Sequence, residues 1–349
     1  REDQKFAGAL KIVVENGMLT AINVVGVEDY LLSVISSEMS ATASEEFLKA
    51  HAVISRSWVM AQIASASKAH AVKVPEGVCN VPTLISNLDE MFSHEAKEEG
   101  DIHEYVRWYD HQDHACFDVC ADDHCQRYQG LTRATGATVR KVIDETWGQV
   151  LTYEGELCDA RFSKCCGGVM ESFDACWEDT QVPYLQPLPD AAGHDPHGAS
   201  FCDTADKDIL GQVLNNYDQE TTDFYRWTQT YTKAELTELI ERKSGVKIGE
   251  IRSMEPLERG ASGRIVRLRI EGSLRTLVVG KELEIRRLLS DSHLKSSAFE
   301  VRIEGDTVTL EGRGWGHGVG LCQIGAAVMA SKGYTYKEIL QHYYPNTEL

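Results

Sequence analysis

Six imidazoles and thiols fall within fifteen residues: His111, His114, Cys116, Cys120, His124 and Cys125. Nitrogen and sulfur donors at such short spacings are what a tetrahedral zinc ion takes. The alternative is a disulfide between two of the cysteines, with the histidines in solvent. A second chemistry rests on Glu38. Leu31, Ile35, Glu38 and Met39 follow i, i+4, i+7, i+8 spacing, which sets a carboxyl in line with an apolar stripe. A carboxyl at a helix end against apolar neighbours is desolvated, and desolvation raises its pKa. A general acid working near neutral pH needs that. The plainer reading is that Glu38 rolls past the stripe and caps or salt-bridges. A third candidate is the C-terminal run GRGWGHGVG, with five glycines around Trp315 and His317. Such a loop can lay its backbone against a ligand. It leads into a predicted helix, 322–332, whose N–H groups can hold anionic or hydroxyl oxygens. Trp315 offers a flat face to a sugar ring, and His317 and Gln323 offer hydrogen bonds. Simple packing of the glycine turn explains the same residues equally well.

The elements that must position these groups follow from periodicity. Two helices stand back to back, 29–39 and 44–66, the second opened by a Thr42/Glu45 capping box with Glu45 and Glu46 in its first turn. Before them, β-branched runs flank Asn16-Gly17, a hairpin signal. Residues 67–115 lose periodicity and read as an insertion near the active site. A short helix over Thr83–Glu95 is expected there, with Trp108 and Tyr109 available for sugar stacking or for packing within the insertion. Helix then strand is expected over 134–157, a strand into the Gly167-Gly168 turn, and a helix stopped by Gly245. From 248 to 310 the pattern turns to period two, giving half-exposed antiparallel strands whose alternate arginines line a solvated face. The fold class is α+β: one large or two-lobed domain over 1–349, with the 67–115 insertion and a mainly β lobe at 248–312.

Composition bounds the rest. The chain has 349 residues, 42% hydrophobic and 26% charged, as in a soluble globular protein. Its net charge of −19 argues against binding a phosphate backbone, so no nucleic-acid partner is expected. No run reaches the roughly 18 apolar residues of a membrane span. The chain opens at Arg1 and reads as a mature or trimmed form. Ten cysteines are too few for a disulfide scaffold and many for an enzyme of this size. A second metal site around His194, His197 and Cys202 is not expected. No P-loop, dinucleotide fingerprint or G-x-S-x-G elbow is present.

VEDYLLSVISSEM followed by EEFLKAHAVISRSWVMAQ resembles the opening signature of the SpoIID/LytB family of lytic transglycosylases and amidase enhancers. DVCADDHCQRYQG, CDARFSKCCGGVMES and the closing GRGWGHGVGLCQIGA with ILQHYYP resemble its later motifs. The resemblance makes Glu38, the glutamate of the Glu-Met pair, the catalytic residue. It implies a four-ligand, structural zinc held by His114, Cys120, Cys125 and His124, with Cys116 as an extra thiol. It places Arg56, Ser163, Gly167, Gly168, Glu171, Trp315, His317 and Gln323 at a substrate groove. Departures are His51 for glutamine, Ser57-Trp58 for Thr-Tyr, Ser163 for histidine and Cys165-Cys166 for a pair of serines. The activity implied is cleavage of peptidoglycan glycan strands between N-acetylmuramate and N-acetylglucosamine, with a 1,6-anhydro product. One carboxyl suffices for that, because the muramyl 6-hydroxyl replaces the water a two-carboxylate hydrolase must position. The alternative is a non-catalytic glycan binder that activates a cell-wall amidase. A zinc hydrolase using the 111–125 segment is disfavoured, since a closed site has no open position. Either family reading implies export to the cell envelope.

Overall fold

The computed structural model describes residues 3–15, 17–40, 43–70, 97–99, 102–108, 114, 116–122, 124–132, 137–213 and 223–349. The expected hairpin is present as β1 (Ala9–Glu15) and β2 (Met18–Val24), antiparallel with Glu15 opposite Met18. Leu10, Ile12, Val14, Met18 and Leu19 on it are exposed. Helices α1 (Val27–Glu38) and α2 (Glu45–His70) follow. Thr42, the proposed cap of α2, lies outside the described residues, as do the expected 83–95 helix, Tyr109 and His111.

Both helices are more enclosed than an amphipathic stripe requires. In α1 every residue from Tyr30 to Ser37 is buried, and in α2 every residue from Ala50 to Val59. Small residues make this possible: Ser33, Ser36 and Ser37 in α1, and Ala50, Ala52, Ser55 and Ser57 in α2, let neighbours approach on all sides. Some of their hydroxyls bond within the same helix. Ser37 Oγ donates to the Ser33 carbonyl at 2.7 Å and Ser57 Oγ to that of Val53 at 2.7 Å. The chain then wraps this pair with α3 (Ala137–Glu145), the short strands β5 (Thr152–Tyr153), β6 (Glu156–Leu157) and β7 (Phe162–Ser163), and α4 (Lys207–Val213). From the C-terminus, β14 (Leu321–Cys322), α7 (Gln323–Ser331) and α8 (Tyr336–Tyr343) complete the same core, with β14 parallel to β7.

A second core lies between two sheets. One orders β3 (Lys97–Glu99), β4 (Ile102–Val106), β11 (Thr276–Gly280), β10 (Ile265–Gly272) and β9 (Ile251–Arg259); the other orders β12 (Phe299–Glu304), β13 (Thr307–Arg313) and β8 (Arg226–Thr232). Helices α5 (Lys233–Ser244) and α6 (Glu282–Leu288) pack on them. Helix α5 opens with a Thr232/Glu235 capping box and stops at Gly245 in the left-handed conformation, φ 71°, as expected. Helix α6 interrupts the expected strand run. The described strands of the 67–115 insertion extend this sheet, β4 running parallel to β11. The fold is α+β.

Candidate functional site

Glu38 ends α1, where Met39 turns to an extended conformation, and it is the half-buried last residue of an otherwise enclosed helix. Its Oε1 accepts the Arg127 N–H at 3.1 Å. The segment that supplies that N–H runs along α1: Gln129 N–H donates to Ser37 Oγ at 3.2 Å, and Ser33 Oγ donates to the Gly130 carbonyl at 2.9 Å. Just before it sit the metal-ligand candidates.

His114, Cys120, His124 and Cys125 each bring a ligand atom to within 4.8 Å of the others. Cys125 Sγ lies 3.4 Å from His114 Nε2 and 3.5 Å from His124 Nδ1, and the Cys120 N–H points at it over 3.4 Å. Cys116 is disulfide-bonded, which removes the extra thiol from the set. The hydrogen bond from Cys125, then those from the histidines, hold the Cys120 thiol down at about 2, while Cys125 is pushed up by the same bond and by burial. Two cysteines and two histidines whose ligand atoms converge this closely fit a zinc ion held by four protein ligands; such an ion would supply structural cross-linking and leave no open position. Tyr30 lies within electrostatic reach of both cluster and carboxylate. Its hydroxyl donates to Gln126 Oε1 at 3.3 Å, and burial, then the charges of Cys125, Glu38 and Cys120, raise its pKa.

The proposed substrate residues fall elsewhere, and several are enclosed. Arg56 is 2% exposed and makes a two-pronged pair with Glu28, Nε to Oε1 at 2.9 Å and Nη2 to Oε2 at 2.6 Å, while Nη1 donates to the Gln149 carbonyl. It pins α1 to α2 and has no face left for a polymer. Glu171 is fully buried, accepting from Ser172 N–H, Ser262 N–H and Ser262 Oγ, the last at 2.6 Å. Gln323 is buried, and its amide lies 3.1 Å from His51 Nε2. His51 stands edge-on to Phe162, and burial, then the charge of Lys164, hold it neutral with a pKa of about 3. The substitution of histidine for glutamine at 51 therefore changes the core, not a groove. Ser163 Oγ is buried without a hydrogen-bond partner among the described residues.

The glycine-rich turn is also turned inward. A Cβ on Gly318 would sit 2.4 Å from the Arg264 guanidinium carbon, and one on Gly320 would sit 2.0 Å from the Arg161 carbonyl. Gly167, at φ +82°, similarly abuts Gly314, whereas Gly168 faces the Tyr225 hydroxyl. The first turn of α7 is covered as well, Ile324 N–H donating to the Lys164 carbonyl. Trp315 and His317 remain half-buried. Trp315 lies against Phe224, with Lys295 Nζ 5.7 Å from its ring centre. His317 Nδ1 accepts the Val319 N–H at 3.0 Å, so the proton sits on Nε2; burial, then Arg161, Arg264 and Arg286, keep the ring neutral. Its ring meets Trp177 edge-on, and Arg161 stacks 4.1 Å over that indole. A 660 Å³ depression on the β lobe, lined by Arg226, Arg259 and Arg313 among others, contains none of the expected substrate residues.

Sequence reasoning missed Arg264. It directly precedes the alternating strand β10 and so looked like one more solvated arginine, yet it is fully buried, donating to the carbonyls of Gly316 and Cys166 and to Ser262 Oγ. Its signal was the glycine run, which needs a bulky internal partner. Sequence reasoning also missed a second convergence, of Cys166, Asp190, Cys202 and Cys322.

The helix pair, the Cys/His loop and α3 fall inside residues 15–153, which match a family model described as Stage II sporulation protein. Residues 171–320 match one described as a domain of unknown function, DUF8618. Stage II sporulation protein D of Bacillus subtilis (strain 168) is 25% identical over 346 residues, 98% of this chain and 80% of that protein. Its counterpart in Bacillus amyloliquefaciens is 24% identical over 92% of this chain and 73% of its own length. The amidase enhancer of Bacillus subtilis (strain 168) is 26% identical over 61% of this chain, and the match spans 32% of that longer protein. These matches run through the Glu38 helix and on to the glycine-rich turn: the chain is similar to a Stage II sporulation protein model over residues 15–153, to Stage II sporulation protein D over nearly its whole length, and to an amidase enhancer over 61% of it.

Proposed function

We propose that this chain is a peptidoglycan lytic transglycosylase in which Glu38 is the single general acid and base. The supporting observation is the setting of that carboxyl. It is half-buried at the carbonyl end of an enclosed helix, where the helix dipole disfavours a negative charge, with one oxygen oriented by the Arg127 N–H. Glu38 gives its proton to the glycosidic oxygen as the bond from muramyl C1 breaks. The resulting carboxylate then takes the proton of the muramyl 6-hydroxyl as that oxygen bonds to C1, closing the 1,6-anhydro ring and restoring the acid. Glu171, the other carboxylate expected at the groove, is sealed inside and is assigned a structural role, in keeping with a one-carboxyl mechanism. His114, Cys120, His124 and Cys125 would hold a zinc ion, which would supply a structural cross-link for the loop that carries Arg127. Half-buried Trp315 and His317 are proposed to contact the glycan.

The place of action we propose is the cell envelope. Among the described residues no helix is long and apolar enough to cross a membrane. The likeness to an amidase enhancer supports a second reading, in which the chain holds glycan and activates a cell-wall amidase. Incubating the purified chain with peptide-stripped glycan separates the two. Glu38→Gln is expected to cut the cleavage rate by roughly 10²- to 10⁴-fold, the usual share of a general acid, with circular dichroism unchanged. Equal cleavage rates in both proteins would remove Glu38 as the acid, and no cleavage in either would leave only the binding role.

A further inference from the structure

Cys166, Cys202, Cys322 and Asp190 converge from separate stretches of chain, and all are buried. Cys166 follows β7, Asp190 and Cys202 flank the loop after it, and Cys322 closes β14. Their ligand atoms lie within 4.8 Å of one another. Cys166 Sγ is 3.5 Å from Cys202 Sγ and 3.4 Å from Asp190 Oδ2. Two thiolates bound at 2.3 Å to a tetrahedral ion stand about 3.8 Å apart, and a thiolate and a carboxylate oxygen about 3.6 Å. Iron–sulfur clusters, whose cysteines ligate different irons, need a wider spread.

The surroundings are arranged as they are around ligands. Cys166 N–H points at Cys322 Sγ over 3.3 Å, and Cys202 N–H donates to Asp190 Oδ2 at 3.1 Å. Ser200 Oγ lies 3.4 Å from Cys202 Sγ. The other oxygen of Asp190 accepts from Tyr343 at 2.8 Å, with His342 Nε2 at 3.5 Å. Such contacts orient ligating groups and offset their charge. Even the helix makes room: a Cβ on Gly325 would lie 2.7 Å from Asp190 Oδ2.

We propose that Cys166, Cys202, Cys322 and Asp190 bind a second, structural zinc-class ion, independent of the His114/Cys120/His124/Cys125 site. Cysteines bury readily as neutral thiols, but three of them set around a buried carboxylate offer a cation both donors and countercharge, and three thiolates with one carboxylate suit a borderline-soft dication. The ion cross-links the 190–202 loop to β7 and to the start of α7. The site does not depend on the glycosidase reading.

Elemental analysis of the intact chain, purified under reducing conditions, tests this. Two zinc equivalents per chain are expected, falling to one in Cys120→Ser and to one in Cys202→Ser. X-ray absorption of the Cys120→Ser protein should then show a metal with three sulfurs and one oxygen. That measurement decides the matter even if Cys202→Ser fails to fold. One equivalent in the wild type that vanishes in Cys120→Ser would overturn the proposal, as would a Cys166–Cys202 disulfide in unreduced peptide maps.

Discussion

At the scale of single residues, position on the helix and burial separate side chains that look alike in sequence. Glu38 and Glu171 are both glutamates inside family-like motifs. One ends a helix half-buried, and the other is locked by Ser172 and Ser262 with no exposed surface. Arg56 likewise belongs to packing. Replacing it with methionine leaves Glu28 uncompensated in a mostly buried setting, at a cost of roughly 3–5 kcal/mol; urea titration should register that loss. Turnover per folded molecule should stay unchanged. His51 carries a pH signature. Its folded pKa of about 3 lies below the ordinary 6.5, so the unfolded chain binds the proton more readily. Stability from this group is full above pH 6.5 and drains as pH falls toward 3, by up to roughly 4 kcal/mol. His51→Gln should flatten that part of the stability–pH curve. A parallel curve in the variant would mean the imidazole is solvated.

At the scale of elements, the loop ahead of Arg127 matters most, because the Cys/His cluster and the carboxylate share one stretch of backbone. Cys120→Ser should loosen the 114–130 segment, seen as faster amide hydrogen exchange from Arg127 to Gly130, and should slow cleavage with Glu38 still present. The hairpin, the helix pair, the Gly245 stop and the Cys/His cluster were all legible in the sequence, since each depends on residues near one another in the chain. Enclosure of α1 and α2 was not, because serine and alanine on a helix face look like solvent positions until partners close over them. Nor were the Cys166 group and the Arg264 network legible. Their members are up to 156 residues apart, and no local period connects them.

At the scale of the molecule, two cores meet at the glycine-rich turn, and Arg264 is the bolt between them. It stands at the edge of the β lobe and donates to carbonyls on both sides of the β7–β14 region, with Glu171 and Ser262 alongside. Arg264→Met should lower the unfolding temperature and split one calorimetric transition into two, one per core. A single, unshifted transition would show that the lobes are joined elsewhere. The described strands of the insertion sit on the outer edge of the β-lobe sheet, with Lys281 Nζ 5.2 Å from the Trp108 ring centre, so that tryptophan is engaged beside the sheet.

Exact-mass analysis of the fragments released from peptide-stripped glycan strands bears on Glu38 most directly. One-carboxyl chemistry yields termini lighter by one water than hydrolytic ones, closed as 1,6-anhydro-muramate, and none in Glu38→Gln. Reducing muramate ends, or anhydro ends that persist in Glu38→Gln, would contradict it.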